Sequence, residues 1–118
     1  MTVSPDLMQQ VALAKALIMK NVRYHFTIYS LSMETGINEF TLKRGFKAVY
    51  GMGLYECLIE ARMEKGIPLL LETDKPFKEI SYLCGYKHEK NFIAAFRKRF
   101  RLTPLSYRKV NSGLPQLN

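Results

Sequence analysis

Apolar residues recur along this chain at the period of amphipathic helices, in segments that glycine and proline separate. In the first segment they stand at i, i+4, i+7 and i+11, a spacing that places them on one face of a helix. These four residues are Leu7, Val11, Ala14 and Ile18. Ser4 and Pro5 precede them, and these residue types are common at the N-cap and at the first helical position. The pattern predicts a first helix that begins at Pro5 and ends before residues 21–26, where the periodicity is lost.

The remainder of the chain shows one pattern twice. Residues 31–36, Leu-Ser-Met-Glu-Thr-Gly, correspond to residues 80–85, Ile-Ser-Tyr-Leu-Cys-Gly, at an offset of 49. At an offset of 50, Leu42, Phe46, Lys47 and Tyr50 correspond to Phe92, Phe96, Arg97 and Phe100. Each copy predicts a short helix, a turn at glycine and a longer helix that is apolar on one side and basic on the other. This is the sequence form of a helix-turn-helix, whose second helix fits the major groove of DNA.

In the first copy, the longer helix is predicted over about residues 38–50 and carries two stripes. The apolar stripe, which we expect in the core, consists of Leu42, Phe46 and Val49. The second stripe, at i, i+3, i+4 and i+7, consists of Phe40, Lys43, Arg44 and Lys47. Three of its four members are cationic, so we predict that this stripe faces base edges in DNA. In the alternative interpretation, Phe40 packs into the core and the cations are simply solvated.

In the second copy, the longer helix is predicted over about residues 88–100. Its core stripe consists of Phe92, Phe96 and Phe100. The opposite face carries Lys90, Ala94 and Arg97, with Glu89 and Asn91 beside it near the helix N-terminus, where a recognition helix contacts bases. Glu89 has two interpretations: it accepts a hydrogen bond from cytosine N4, or it caps its own helix.

These segments, together with a last short helix that begins at Thr103-Pro104, predict an all-α fold of about seven helices that form two homeodomain-like helix-turn-helix subdomains. We assign residues 1–53 to the N-terminal helix and first helix-turn-helix, 54–72 to a connecting helix, 73–110 to the second helix-turn-helix and 111–118 to a disordered tail. In the connecting helix, Pro68 lacks the N–H that would bond to the carbonyl of Glu64. A kink or break is therefore predicted near Gly66.

The charge of the chain is strongly basic and unevenly distributed. The formal net charge is +8, and residues 76–109 contain nine Lys or Arg against two acids. Such a surface attracts polyanions, with nucleic acid as the first candidate and an anionic membrane as the second. A charged face that only solubilises the protein is the alternative, and the repeated helix-turn-helix pattern argues against it.

Other functional classes receive little support from the residues. Cys57 and Cys84 lie too far apart for a metal knuckle or a CxxC pair, and His25 and His88 have no companions at ligand spacing. No segment approaches the roughly 18 consecutive apolar residues of a membrane span. We therefore expect a cytoplasmic protein that is not an enzyme, uses no cofactor or metal and contacts no membrane. Both cysteines are expected to be buried free thiols.

Together these residues resemble the DNA-binding domain of AraC/XylS-type transcription regulators over about residues 8–109. The resemblance rests on Gly36-x5-Leu42-x-Arg44-x-Phe46-Lys47-x3-Gly51, on Arg62, and on Glu79-Ile80-x4-Gly85-Tyr86-x5-Phe92-x3-Phe96-Arg97-x2-Phe100-x2-Thr103-Pro104-x2-Tyr107-Arg108. It implies seven helices, with two recognition helices that enter successive major grooves about one helical turn apart. The run from Leu42 to Phe46 also resembles a subgroup that includes regulators of siderophore uptake.

The resemblance implies roles for matching positions. Base contacts fall on Phe40, Lys43 and Arg44 in the first unit and on Glu89, Lys90, Asn91 and Ala94 in the second. Phosphate contacts fall on Lys47, Arg97 and the helix starts near Thr27 and Phe77. The chain departs from the family pattern at Ala94, Ser81 and Arg101, and at Gly66 and Pro68 of the connecting helix. Because Ala94 replaces a longer polar or basic side chain, we expect the second unit to act mainly as an electrostatic clamp.

The sequence thus predicts sequence-specific binding of double-stranded DNA by the DNA-binding domain of a bacterial transcription regulator. RNA polymerase is an expected second partner. Effector binding and dimerisation are expected in a separate N-terminal domain if the chain is a fragment, which we favour over a small stand-alone regulator. The alternative function is a helical protein-interaction module whose basic face meets an acidic partner.

Overall fold

The computed structural model describes residues 2–111, which form seven α-helices and no strand. The helices are α1 (Pro5–Lys20), α2 (Ile28–Thr35), α3 (Glu39–Tyr50), α4 (Leu54–Glu72), α5 (Phe77–Leu83), α6 (Glu89–Phe100) and α7 (Pro104–Asn111). The chain divides into two compact units, Met1–Glu60 and Ala61–Asn118, and the division falls within α4. The predicted all-α fold with two helix-turn-helix segments is confirmed.

In the first unit, α1 packs against α2 and α3 through the face that its apolar spacing predicts. Ser4 caps α1 as expected, since its Oγ accepts a hydrogen bond from the N–H of Leu7 at 3.1 Å. The buried side chains of α1 are Leu7, Val11, Ala14 and Ile18. Gly45 of α3 lies against Leu7, and a Cβ at Gly45 would stand 3.1 Å from Leu7 Cδ1. A side chain at position 45 would therefore require Leu7 to shift by a few tenths of an ångström.

The turn between α2 and α3 is determined by its terminal residues. α2 ends at Gly36, whose φ of 75° lies in the left-handed region that glycine adopts without strain. Two residues later, the Oδ1 of Asn38 accepts a hydrogen bond from the N–H of Thr41 at 2.8 Å and caps α3. Gly51, with φ 73°, ends α3. Both ends of the predicted recognition helix are thus fixed by local interactions.

In the second unit, α4, α5 and α6 share one apolar core. Its fully buried members are Met63, Leu70, Ile80, Cys84, Phe92 and Phe96. Phe96 meets Tyr107 of α7 edge-on, with ring centroids 5.3 Å apart. The core stripe predicted for α6 is confirmed for Phe92 and Phe96, while Phe100 is partly buried at its margin.

The end of α4 is held by Arg108 of α7. The guanidinium Nε donates to the carbonyl of Leu70 at 2.8 Å. Its Nη2 donates to the carbonyls of Thr73 and Lys75 at 3.3 and 3.2 Å. A cation at a helix C-terminus satisfies carbonyls that have no partner within the helix. Arg108 therefore ties α7 to the end of α4 and to the turn that leads into α5.

Two predictions about the chain's course have different outcomes. α4 continues from Leu54 to Glu72 with Pro68 inside it, so the chain does not break near Gly66, and a kink at this point stays a prediction. Asn111, the first residue of the predicted disordered tail, is the last residue of α7. The remainder of that predicted tail, residues 112–118, lies outside the described residues.

Candidate nucleic-acid interface

The predicted reading stripe of α3 is open to solvent along its whole length. Its members, Phe40, Lys43, Arg44 and Lys47, are all exposed, and 68% of Phe40 is accessible. The apolar residues Leu42 and Phe46 of the same helix are completely buried. The alternative in which Phe40 packs into the core is therefore wrong. α3 presents one aromatic ring and three cations on a single face.

Two of these side chains contact each other. The Cζ of Arg44 lies 5.3 Å from the centroid of the Phe40 ring, within the range of a cation–π contact. The two residues are four positions apart, so their side chains lie one helical turn from each other on the same face. Sequence spacing places both residues on one face but does not reveal this contact.

A groove beside the stripe was not predicted from the sequence. It has a volume of about 570 Å³ and is lined by Ile28, Lys43, Lys47, Gly53, Leu54, Tyr55 and Glu56. Tyr55 forms part of its wall and stacks on Phe26 with ring centroids 4.8 Å apart. The two lysines carry the positive charge of the groove, and Glu56 adds one carboxylate. A polyanion lying along α3 would meet this groove at the Lys47 end of the stripe.

At the start of α2, where a phosphate contact is predicted, two hydrogen bonds within the chain already engage part of the helix terminus. α2 starts next to Thr27 as expected, and Thr27 is its N-cap, which forms a reciprocal capping box with Ser30. The Thr27 N–H donates to Ser30 Oγ at 3.2 Å, and the Ser30 N–H donates to Thr27 Oγ1 at 2.9 Å. A phosphate at this helix start would therefore be bound by the next amides, those of Ile28 and Tyr29.

The corresponding face of α6 is also exposed. Lys90, Asn91, Ala94 and Arg97 are open to solvent, and Glu89 is half-buried in the first turn. The N-cap, His88, makes no side-chain capping hydrogen bond. Because the side chain of Glu89 lies at the positive end of the helix dipole, both of its predicted interpretations are compatible with its position.

Cations also collect at the C-terminal end of α6. Arg97, Lys98 and Arg99 occupy its last turn, and Arg101 is its C-cap. Arg101 takes the left-handed conformation, with φ 65°. Arg101 is one of the positions at which the chain departs from the family pattern, and its backbone has the conformation that glycine adopts without strain.

At the start of α5, the predicted phosphate position Phe77 follows Pro76, which supplies no side-chain cap. The ring of Phe77 is partly buried and lies under the guanidinium of Arg108, whose Cζ is 4.7 Å from the ring centroid. Only the backbone amide of Phe77 is therefore suited to contact a phosphate.

The buried polar groups of the second unit belong to its core. Arg62, only 3% exposed, has its Cζ 5.1 Å from the centroid of the Tyr86 ring. Burial raises the pKa of the Tyr86 hydroxyl, while the charge of Arg62 opposes this effect. Burial also raises the pKa of the Cys84 thiol from 9.0 to about 11, so the thiol stays protonated at neutral pH. Cys57 and Cys84 are buried and take part in no disulfide, as predicted.

Similarity to known proteins agrees with this geometry. A family model described as a helix-turn-helix domain matches residues 31–110. The xylose operon regulatory protein of Escherichia coli strain K12 is 35% identical over 77 residues, which make up 65% of this chain and 20% of that protein. A Streptomyces antibioticus protein named as an AraC-like transcription regulator is 29% identical over 99 residues, 84% of this chain and 33% of that protein.

A solved structure has the same fold. The C-terminal domain of AraT, a response regulator from Geobacillus stearothermophilus, is 27% identical and covers 100% of this chain and 95% of its own, with a TM-score of 0.82. The chain belongs to the AraC-type family of helix-turn-helix transcription regulators and is a DNA-binding domain of that family. It spans about a fifth of the length of the xylose operon regulator that it matches.

Two further observations concern the described residues as a whole. Within residues 2–111, no helix combines the length and the apolar composition that a membrane span requires. In the same range, no three His, Cys, Asp or Glu side chains come together in a way that would hold a metal ion.

Proposed function

We propose that this domain binds specific sites in double-stranded DNA with α3 as its main base-reading helix and α6 as a second, weaker one. The observation that carries the proposal is the exposed stripe of α3, in which one aromatic side chain and three cations share a face beside a basic groove. No core packing accounts for an aromatic residue that is 68% exposed at this position.

Electrostatic attraction supplies affinity that does not depend on sequence. Each Lys or Arg that meets a phosphate releases condensed counterions, so binding weakens as salt rises. Lys47 borders the groove beside α3, and Arg97 lies on the exposed face of α6. We assign both side chains to phosphates, together with the helix starts at Thr27 and Phe77, where backbone amides favour an anion.

Base contacts by α3 supply specificity. Arg44 and Lys43 match the O6 and N7 acceptors of guanine in the major groove, and each good bidentate contact is worth about 1–3 kcal/mol of discrimination. Phe40 is suited to contact a thymine methyl group. A regulator reads its site through these few side chains, while the phosphate contacts fix the position of the helix on the duplex.

α6 has fewer groups suited to base contacts. Asn91 can pair with adenine, Lys90 with guanine and Glu89 with cytosine N4. Ala94, one turn after Lys90, offers only a methyl group. The cations at the end of α6 outnumber its polar base-reading candidates, which supports a role as an electrostatic clamp that discriminates weakly.

The wider role follows the family. A regulator with this domain acts in the cytoplasm of a bacterium, where DNA and RNA polymerase are accessible, and contact with RNA polymerase is part of the proposal. Effector binding and dimerisation are assigned to a separate N-terminal domain.

Selection of sites from random duplex DNA, repeated at two salt concentrations, tests the function. We expect an enriched site with two parts about 10 base pairs apart, one of them contributed by α3. Enrichment of one part alone would assign α6 to phosphate contacts. If neither salt concentration gave enrichment, sequence reading by this chain would be ruled out and a helical protein-interaction module would become the better explanation of its basic face.

A further inference from the structure

The contact between Phe40 and Arg44 joins two side chains that are both assigned to DNA. Phe40 is 68% exposed, and its ring centroid lies 5.3 Å from Arg44 Cζ. An aromatic ring at this distance attracts a guanidinium even at an exposed site. The pair therefore limits the orientations that the long Arg44 side chain takes before DNA arrives.

The contact is compatible with base reading by Arg44. A guanidinium donates hydrogen bonds to guanine O6 and N7 along its edge, whereas it stacks on an aromatic ring through its face. Both interactions can thus be made at once. Ordering a flexible side chain in advance reduces the cost of ordering it on binding.

We infer that Phe40 is a positioning residue for Arg44: the Phe40 ring holds the Arg44 guanidinium in the orientation that meets a guanine. This inference rests on the proposed function, in which α3 reads bases. α6 has no equivalent, since the positions that correspond to Phe40 and Arg44 are Lys90 and Ala94. The same difference explains in physical terms why α3 would discriminate among sequences more strongly than α6.

The contact itself is testable in the free protein by NMR. We expect the ring current of Phe40 to shift the Hδ and Hε signals of Arg44, and the shift to disappear in Phe40→Leu. The side-chain signals of Lys47, two turns from Phe40, serve as the internal control and should not change. Unshifted Arg44 signals in the wild-type protein would overturn the inference and leave the proposed DNA binding untouched.

The energetic consequence is testable by a double-mutant cycle with the duplex that the wild-type protein selects and a random-sequence duplex. Leu at position 40 keeps an apolar contact to DNA but removes the ring. We expect Phe40→Leu to weaken binding to the selected duplex about two- to fivefold in the wild-type background and to have little effect in the Arg44→Ala background. Phe40→Tyr keeps an aromatic ring and should bind the selected duplex with wild-type affinity.

A matched cycle separates positioning from direct contact. Lys43 is a second cation on the same face and serves as the matched background. If Phe40 positions Arg44 alone, Phe40→Leu should cost the same affinity with Lys43→Ala as without it. An equal loss in the Arg44→Ala and wild-type backgrounds would show that Phe40 acts only by its own contact with DNA, and would overturn the inference. If the wild-type protein did not prefer the selected duplex to the random one, the proposed function would fail, and this inference with it. Because Phe40 is exposed, thermal melting should show that all variants fold alike.

Discussion

Arg101 holds a backbone conformation that L-amino acids rarely adopt. Its φ of 65° and ψ of 8° place it in the left-handed region, and among residues 2–111 every other residue with such a φ is a glycine. A side chain in this region costs about 1 kcal/mol relative to glycine. The strain is localised at one residue, at the end of the helix that carries the most concentrated positive charge.

We predict that Arg101→Gly raises the free energy of unfolding by about 1 kcal/mol, as measured by urea denaturation, because glycine adopts this backbone conformation without strain. The same variant should bind any DNA sequence more weakly, because one cation is lost. Arg101→Ala is the matched control, since it removes the same charge and keeps the Cβ. Equal stability of the Gly and Ala variants would mean that the backbone at residue 101 is not strained.

The end of α4 depends on a residue that lies 36 positions after its last one. Arg108 donates hydrogen bonds to three carbonyls, those of Leu70, Thr73 and Lys75. We predict that Arg108→Ala lowers the free energy of unfolding by about 2–3 kcal/mol, because these partly buried carbonyls lose a charged donor. Arg108→Lys should recover part of the loss, since an ammonium group cannot reproduce the planar fork of the guanidinium. Thermal or urea unfolding measures the stability of both variants. Lys87→Ala, which removes an exposed cation, is the control and should change the free energy of unfolding by no more than about 0.5 kcal/mol.

At the level of helices, sequence patterns were informative where the determining interactions are local. The apolar spacing of α1 and the turn at Gly36 depend on residues within four positions of their neighbours in the pattern, and both were predicted. Pro68 shows the limit of such reasoning. It removes a single helical hydrogen bond, whereas α4 is stabilised by burial of Met63 and Leu70 in the core of the second unit, so the helix continues.

The candidate site likewise has one part that the sequence predicts and another that only the tertiary structure shows. The exposed stripe of α3 follows from helical periodicity alone, and the structure confirms that its members are exposed. The groove beside the stripe brings Lys43 together with Tyr55, twelve residues away, and only tertiary structure fixes that proximity. The capping box at Thr27 was also missed, because its N3 residue is Ser30, whereas the usual sequence signature has Glu or Gln at N3.

For the whole molecule, the formal net charge of +8 means that affinity and specificity must be measured separately. Since log K falls with log salt in proportion to the number of phosphate contacts, each contact contributes about 0.9 to the slope on duplex DNA. If α6 is mainly a clamp, Arg97→Ala should reduce the slope by about 0.9 and weaken the selected and random duplexes by the same factor. Arg44→Ala should instead weaken the selected duplex much more than the random one and change the slope little.

Arg99→Ala provides the control for this comparison. It removes the same charge from the same turn of α6, but Arg99 lies about 160° round the helix from Arg97 and so away from the face that carries Lys90 and Ala94. In this variant, the slope of log K against log salt should decrease by less than it does in Arg97→Ala. Equal changes in slope would indicate a diffuse electrostatic attraction to the end of α6, whereas a larger loss of the selected duplex than of the random one in Arg97→Ala would assign Arg97 to base reading. The salt dependence of these three variants on two duplexes thus determines whether the second unit of the protein clamps DNA or reads it.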